Sequence, residues 1–169
     1  MTDEAYKAKE WLNRTIDLYN QAEKTAREVR NVEDRINNSV RSYENDGSGR
    51  ADLIVRQQHR EDALIAYSEI RAKYEREYMK FVRQELITIK VLERMKNKRA
   101  ANLLLMRHIN HMSLDKIAAS GAFDLKRSQL YELYKKALEE LAPLLKREEP
   151  NIIRDVEKLI KEKQNQATT

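Results

Sequence analysis

Between residues 3 and 43 the apolar side chains recur every three or four positions among charged neighbours: Ala5, Ala8, Leu12, Ile16, Tyr19, Ala22, Ala26, Val29, Val32, Ile36, Val40 and Tyr43. That spacing lays them along one stripe of an α-helix, which over about 40 residues at 1.5 Å rise is about 60 Å long. A second stripe follows between about residues 52 and 95, through Ala63, Tyr67, Ile70, Tyr74, Tyr78, Phe81, Val82, Leu86, Ile89 and Leu92. Asn45-Asp46-Gly47-Ser48-Gly49, a cluster of turn formers, separates the two. The pattern predicts a long, coiled-coil-like antiparallel hairpin. Pairing of the same stripes between two chains is the competing arrangement. The aromatics Tyr67, Tyr74, Tyr78 and Phe81 read as core or dimer seam, against a stacking platform for single-stranded nucleic acid. Trp11 falls at the edge of that seam.

After residue 95 the periods shorten. Leu103, Leu104, Leu105, Met106 and Ile109 make one short helix. Ser113 stands where an N-cap belongs, before Leu114-Asp115-Lys116-Ile117-Ala118-Ala119, and Asp115 suits the positive start of that helix. Gly121 can take the left-handed conformation that closes it. Phe123 and Leu125 pack the turn, and a further helix starts near residues 126–128. Its inward stripe is Leu130, Leu133, Tyr134, Ala137, Leu138 and Leu141; its other face carries Arg127, Ser128, Gln129, Tyr131, Glu132, Lys135 and Lys136. This is a helix-turn-helix, whose second helix enters the major groove with its N-terminal residues at base edges. Pro143 and Pro150 then punctuate the chain. Ile152, Ile153, Val156, Leu159 and Ile160 form a separate C-terminal helix capped by Asn151, ending in a frayed tail over 164–169.

Composition adds constraints. Of 169 residues 41% are hydrophobic and 36% charged, with three Gly and two Pro, so the core is thin and spread along helix seams. There is no cysteine, which excludes disulfides and thiolate chemistry. The acidic Met1-Thr2-Asp3-Glu4 start is no signal peptide, and no stretch approaches the roughly 18 apolar residues of a spanning helix. A soluble, cytoplasmic protein without membrane contact is expected. Charge is uneven: residues 96–147 hold 11 Lys and Arg against five Asp and Glu, so this module carries +6 of a chain whose total is +5. A basic module in an otherwise balanced chain suits a polyanion.

Lys126, Arg127, Ser128 and Gln129 sit where base and phosphate contacts are made. Arginine can grip guanine through two hydrogen bonds and glutamine can grip adenine. Tyr131, Lys135 and Lys136 continue that face, and Lys98 with Arg99 offers a second backbone clamp. The plainer reading of each is a solvated helix face or a basic helix end. His108 and His111 have the i, i+3 spacing of two metal ligands but lack a third beyond Asp115, so no metal or cofactor is expected. The paired acids Glu139-Glu140 and Glu148-Glu149 have no nucleophile or glycine-rich loop nearby. Nothing reads as an active site, so no enzyme is expected.

"MSLDKIA…LYELYKKALEEL" resembles the C-terminal half of a sigma-factor region-four-like module, with its S-x-x-x-IA helix, turn and second helix ending in an Ala-Leu pair. Preceded by the long helices, it is similar to the ArpU and RinA type of phage-encoded regulators from Gram-positive phages and prophages. The match covers residues 103–141, and the turn between Ile117 and the second helix is about two residues longer than usual. The resemblance implies a transcription regulator in the bacterial cytoplasm that binds double-stranded DNA and switches on late genes. The expected organisation is a hairpin and dimerisation region at 1–95, a helix-turn-helix at 96–147, and a C-terminal helix and tail at 148–169. The hairpin would build a homodimer or meet RNA polymerase. Two alternatives stay open: a helical protein that binds a host protein without touching DNA, and a small terminase-like packaging protein.

Overall fold

The computed structural model describes residues 1–43 and 50–167, with side chains described for 1–38 and 57–166. The turn expected at residues 45–49, the side chains of Val40 and Tyr43, and Thr168 and Thr169 lie outside the described residues. Five helices follow one another, α1 (Asp3–Tyr43), α2 (Arg50–Glu93), α3 (Lys98–His108), α4 (Leu114–Ala119) and α5 (Arg127–Ala167), and no strand occurs among the described residues. The fold is all-α. Asp3 and Glu4 face the positive start of α1, where the Thr2 hydroxyl accepts from the Ala5 amide at 3.3 Å.

The chain gathers into two compact units, one of Met1–Asp17 with Phe81–Thr169 and one of Leu18–Lys80. In the first, the start of α1 (Ala5, Ala8, Trp11, Leu12) and the end of α2 (Ile87, Val91, Leu92, Met95) share one core with α3 and α5. The sequence had suggested Trp11 at a seam edge. Instead it is 6% exposed, and its indole N–H donates to Glu149 Oε1 at 2.6 Å.

In the second unit α1 and α2 run antiparallel. Gln21 donates to Glu77 at 3.1 Å, the Thr25 hydroxyl donates to the same carboxylate, and the Tyr67 hydroxyl donates to Glu33 at 2.6 Å. The tyrosine stripe divides here. The strict 4–3 alternation 63, 67, 70, 74, 77, 81 passes through Glu77, which is buried, and leaves Tyr78 exposed and stacked on Tyr74. The seam keeps a carboxylate because Gln21 and Thr25 satisfy it, which a reading by polarity alone does not anticipate. The same substitution occurs in the first unit. There Thr15 and Thr88 meet at 3.1 Å, while Ile16, chosen from the sequence, is only half-buried.

A separate C-terminal helix is not formed: α5 runs unbroken through Pro143 and Pro150. An interior proline costs about 3 kcal/mol. Leu144, Leu145, Ile152 and Val156, all buried, return about 1.5–3 kcal/mol each by staying in helical register against α1 and α2. Burial therefore outweighs the two breakers.

Candidate nucleic-acid interface

Asn97 opens α3, its side chain accepting from the Ala100 amide at 3.0 Å and its own N–H donating to Glu140 at 3.0 Å. Ser113 caps α4 by accepting from the Lys116 amide at 3.2 Å. Gly121 has φ +69°, the left-handed value that ends a helix with least strain in glycine. Asp124 also turns left-handed, at φ +46°, within the lengthened stretch before α5. A small second core holds the three helices together: Leu103 of α3, Leu114 and Ile117 of α4, Phe123 of the turn and Leu130 of α5. Leu133 and Tyr134 touch both cores, so this module rests on the ends of α1 and α2 through shared side chains.

These contacts fix how the start of α5 meets solvent. The Lys126 carbonyl accepts from the Leu130 amide at 3.0 Å, and the Gln129 side chain reaches back to the Lys126 amide at 3.0 Å. That is the reaching-back half of a capping box. The Gln129 carbonyl oxygen is thereby engaged on an exposed side chain. Lys126, Arg127, Ser128 and Gln129 are all exposed, as are Tyr131, Lys135 and Lys136, whereas Leu130, Ala137, Leu138 and Leu141 are fully buried. No acid lies in the first turn of α5 itself; Lys126 and Arg127 are exposed at its positive end, Arg127 beside the Asp115 carboxylate. Such an end attracts anions.

Arg127 is held from two sides. Its Nε lies 2.8 Å from Asp115 Oδ1 and its Nη2 3.3 Å from Oδ2, and its guanidinium sits 5.8 Å from the centre of the Tyr131 ring. Sequence reasoning placed Asp115 only at the start of α4. The contact joins residues 12 apart across the turn, so no local periodicity signals it. Lys98 and Arg99 are exposed, but each makes an internal bond. Lys98 donates to the Glu93 carbonyl at the end of α2, and Arg99 donates to the Phe123 carbonyl in the turn. The paired acids are also engaged: Glu148 with Arg94 at 2.6 Å and Arg147 at 2.8 Å, Glu149 with Trp11.

His108 belongs to the interior. It is fully buried, its Nε2 lies 3.0 Å from the Tyr134 hydroxyl, and the rings stack at 6.0 Å. Its Nδ1 has no hydrogen-bond partner. Burial, with Arg107, Lys9 and His111 adding to it, pushes the imidazole down to about 3, so it is neutral at pH 7. The unfolded chain binds this proton below about pH 6.5 and the folded chain does not until about pH 3. Stability is therefore full above 6.5 and falls with pH through that window, by about 1.4 kcal/mol per pH unit at most, or about 2 kcal/mol at pH 5. Urea unfolding at pH 7 and pH 5 measures this, and His108→Gln removes most of the difference.

No helix among the described residues is long and apolar enough to cross a membrane. Comparison of the chain with protein-family models, with curated proteins and with solved structures returns no match.

Proposed function

We propose that the protein is a sequence-specific double-stranded-DNA-binding transcription regulator of phage or prophage genes, with the start of α5 in the major groove. One observation carries this reading: the exposed row Lys126, Arg127, Ser128 and Gln129 stands on a helix start with no acid in its own first turn, directly after a helix and turn fixed by Ser113 and Gly121. Base-edge donors on the first turn of a rigidly mounted second helix are what major-groove recognition needs. The excess of cations in residues 96–147 and the resemblance to the ArpU and RinA type support the same reading. Selection of duplexes from a random-sequence pool by the purified protein tests it. Enrichment of one motif is expected; recovery of an unbiased pool contradicts it.

A homodimer completes the proposal. In the unit Leu18–Lys80, Ile65, Ala72 and Met79 recur at seven-residue intervals on α2 and are all exposed, with Leu64 and Tyr78 exposed beside them. Residues 61–70 carry Glu61, Asp62 and Glu69 without a Lys or Arg, while 71–80 carry four cations against two acids. Antiparallel pairing with a second copy opposes these halves and covers the apolar positions. Ile65→Glu is expected to turn a dimer into a monomer in sedimentation velocity. A wild-type monomer would instead assign the surface to another protein such as RNA polymerase, and a ring-sized oligomer would favour the packaging reading.

A further inference from the structure

The two contacts on Arg127 leave one part of it free. A guanidinium has two edges on which paired N–H groups point the same way: the side edge, Nε with Nη2, and the end edge, Nη1 with Nη2. Asp115 occupies the side edge at 2.8 and 3.3 Å, and Tyr131 lies beside the guanidinium, its hydroxyl helping to hold the charge and its ring centre 5.8 Å away. Asp115 does not engage the end edge, which is carried on an exposed side chain at the first residue of α5.

The charge balance shows which acceptor suits that edge. Beside Asp115 the guanidinium is half of a neutral pair, so it gains little from the broad negative field of a phosphate, and the carboxylate repels a phosphate oxygen that approaches closely. A guanine edge is different. It is uncharged overall and presents O6 and N7 as two acceptors at a spacing that a guanidinium edge matches. It rewards direction more than charge.

We propose that Asp115 is a positioning residue for base recognition: it holds Arg127 with its end edge outward as a ready-made fork for one guanine of the DNA site. This rests on the DNA-binding reading above and adds that α4 helps set specificity without contacting a base. A free arginine must lose its rotamer freedom on binding, and holding it in place beforehand is worth about 3- to 10-fold.

The experiment uses the full chain and the duplex enriched from the random pool, with single-base-pair replacements at each G·C pair. Asp115→Ala is expected to lower discrimination about 5-fold at one guanine only, within the range set by rotamer freedom. Affinity for unrelated duplex holds or rises, because a negative charge has been removed. In an Arg127→Ala background the same change has no further effect. Ser113→Ala, which weakens the start of α4 without touching Arg127, leaves discrimination intact. Asp115→Asn, which keeps the size but not the charge, gives an intermediate loss. Unchanged discrimination in Asp115→Ala overturns the proposal, as does an equal loss at every position that Ser113→Ala reproduces. Failure of the unaltered protein to enrich any motif is a different result: it removes the DNA reading itself, and this inference with it.

Discussion

Replacing Arg127 with alanine is expected to lower affinity for the preferred duplex by about 10- to 100-fold and to change affinity for unrelated duplex by less than about 3-fold. A good two-bond contact to a base is worth about 1–3 kcal/mol of discrimination, and each 1.4 kcal/mol is tenfold. The residue's own tie to Asp115 does not enter this figure, because an ion pair as exposed as this one adds little to folding. Arg127→Ala should therefore melt at nearly the wild-type temperature while losing recognition. Lys135→Ala and Lys136→Ala serve as the contrast. Both lysines are exposed, a little over two turns farther along α5, where phosphates are the expected acceptors. Their loss should weaken all duplexes alike and reduce the salt slope by about 1 each. Titration of labelled duplexes separates the two classes. A uniform loss in Arg127→Ala would show that the residue meets phosphate or only solvent.

A fragment of residues 96–147, the stretch that reads as a self-contained helix-turn-helix, is expected not to fold by itself. Ala100, Ala101, Leu104, Ala137, Leu138 and Leu141 bury themselves against Ala5, Ala8, Trp11, Leu12, Ile87, Val91, Leu92 and Met95. Without those partners, the fragment retains mainly the small cluster of Leu103, Leu114, Ile117, Phe123 and Leu130. A cluster of five buried side chains is too small to offset the ordering of about 50 residues. A chain in which residue 17 is joined to residue 81 through a short flexible linker retains the whole first unit and should fold. Far-UV circular dichroism and amide NMR dispersion of both fragments decide this. A cooperative melt from 96–147 alone would contradict the shared core.

These expectations show which features were legible in the sequence. Signals that are local in the chain could be read directly: the three-four spacing of α1, the Ser113 cap, the left-handed Gly121 and the buried stripe Leu130, Ala137, Leu138 and Leu141. Each depends on residues within a turn or two, where periodicity and capping chemistry act. Features set by a distant partner could not be read. Glu77 enters a seam only because Gln21 and Thr25 wait there, and Thr15 only because Thr88 faces it. Pro143 and Pro150 read as breaks because the apolar surface that keeps α5 continuous comes from α1 and α2, far away in sequence. The candidate interface divides in the same way. Its exposed row on α5 followed from spacing, while the Asp115 grip on Arg127 required the fold of the turn, including the unexpected left-handed Asp124.

Recognition of DNA sequence is tested most directly by the affinity of the unaltered protein for its enriched duplex and for a scrambled duplex of equal composition, each at about 50 and 200 mM salt. The expected result is that both affinities fall with salt while their ratio stays at about 1,000 or more. If the two duplexes bind equally, or their difference vanishes at the higher salt, the cations of residues 96–147 are only a basic surface and α5 does not read DNA.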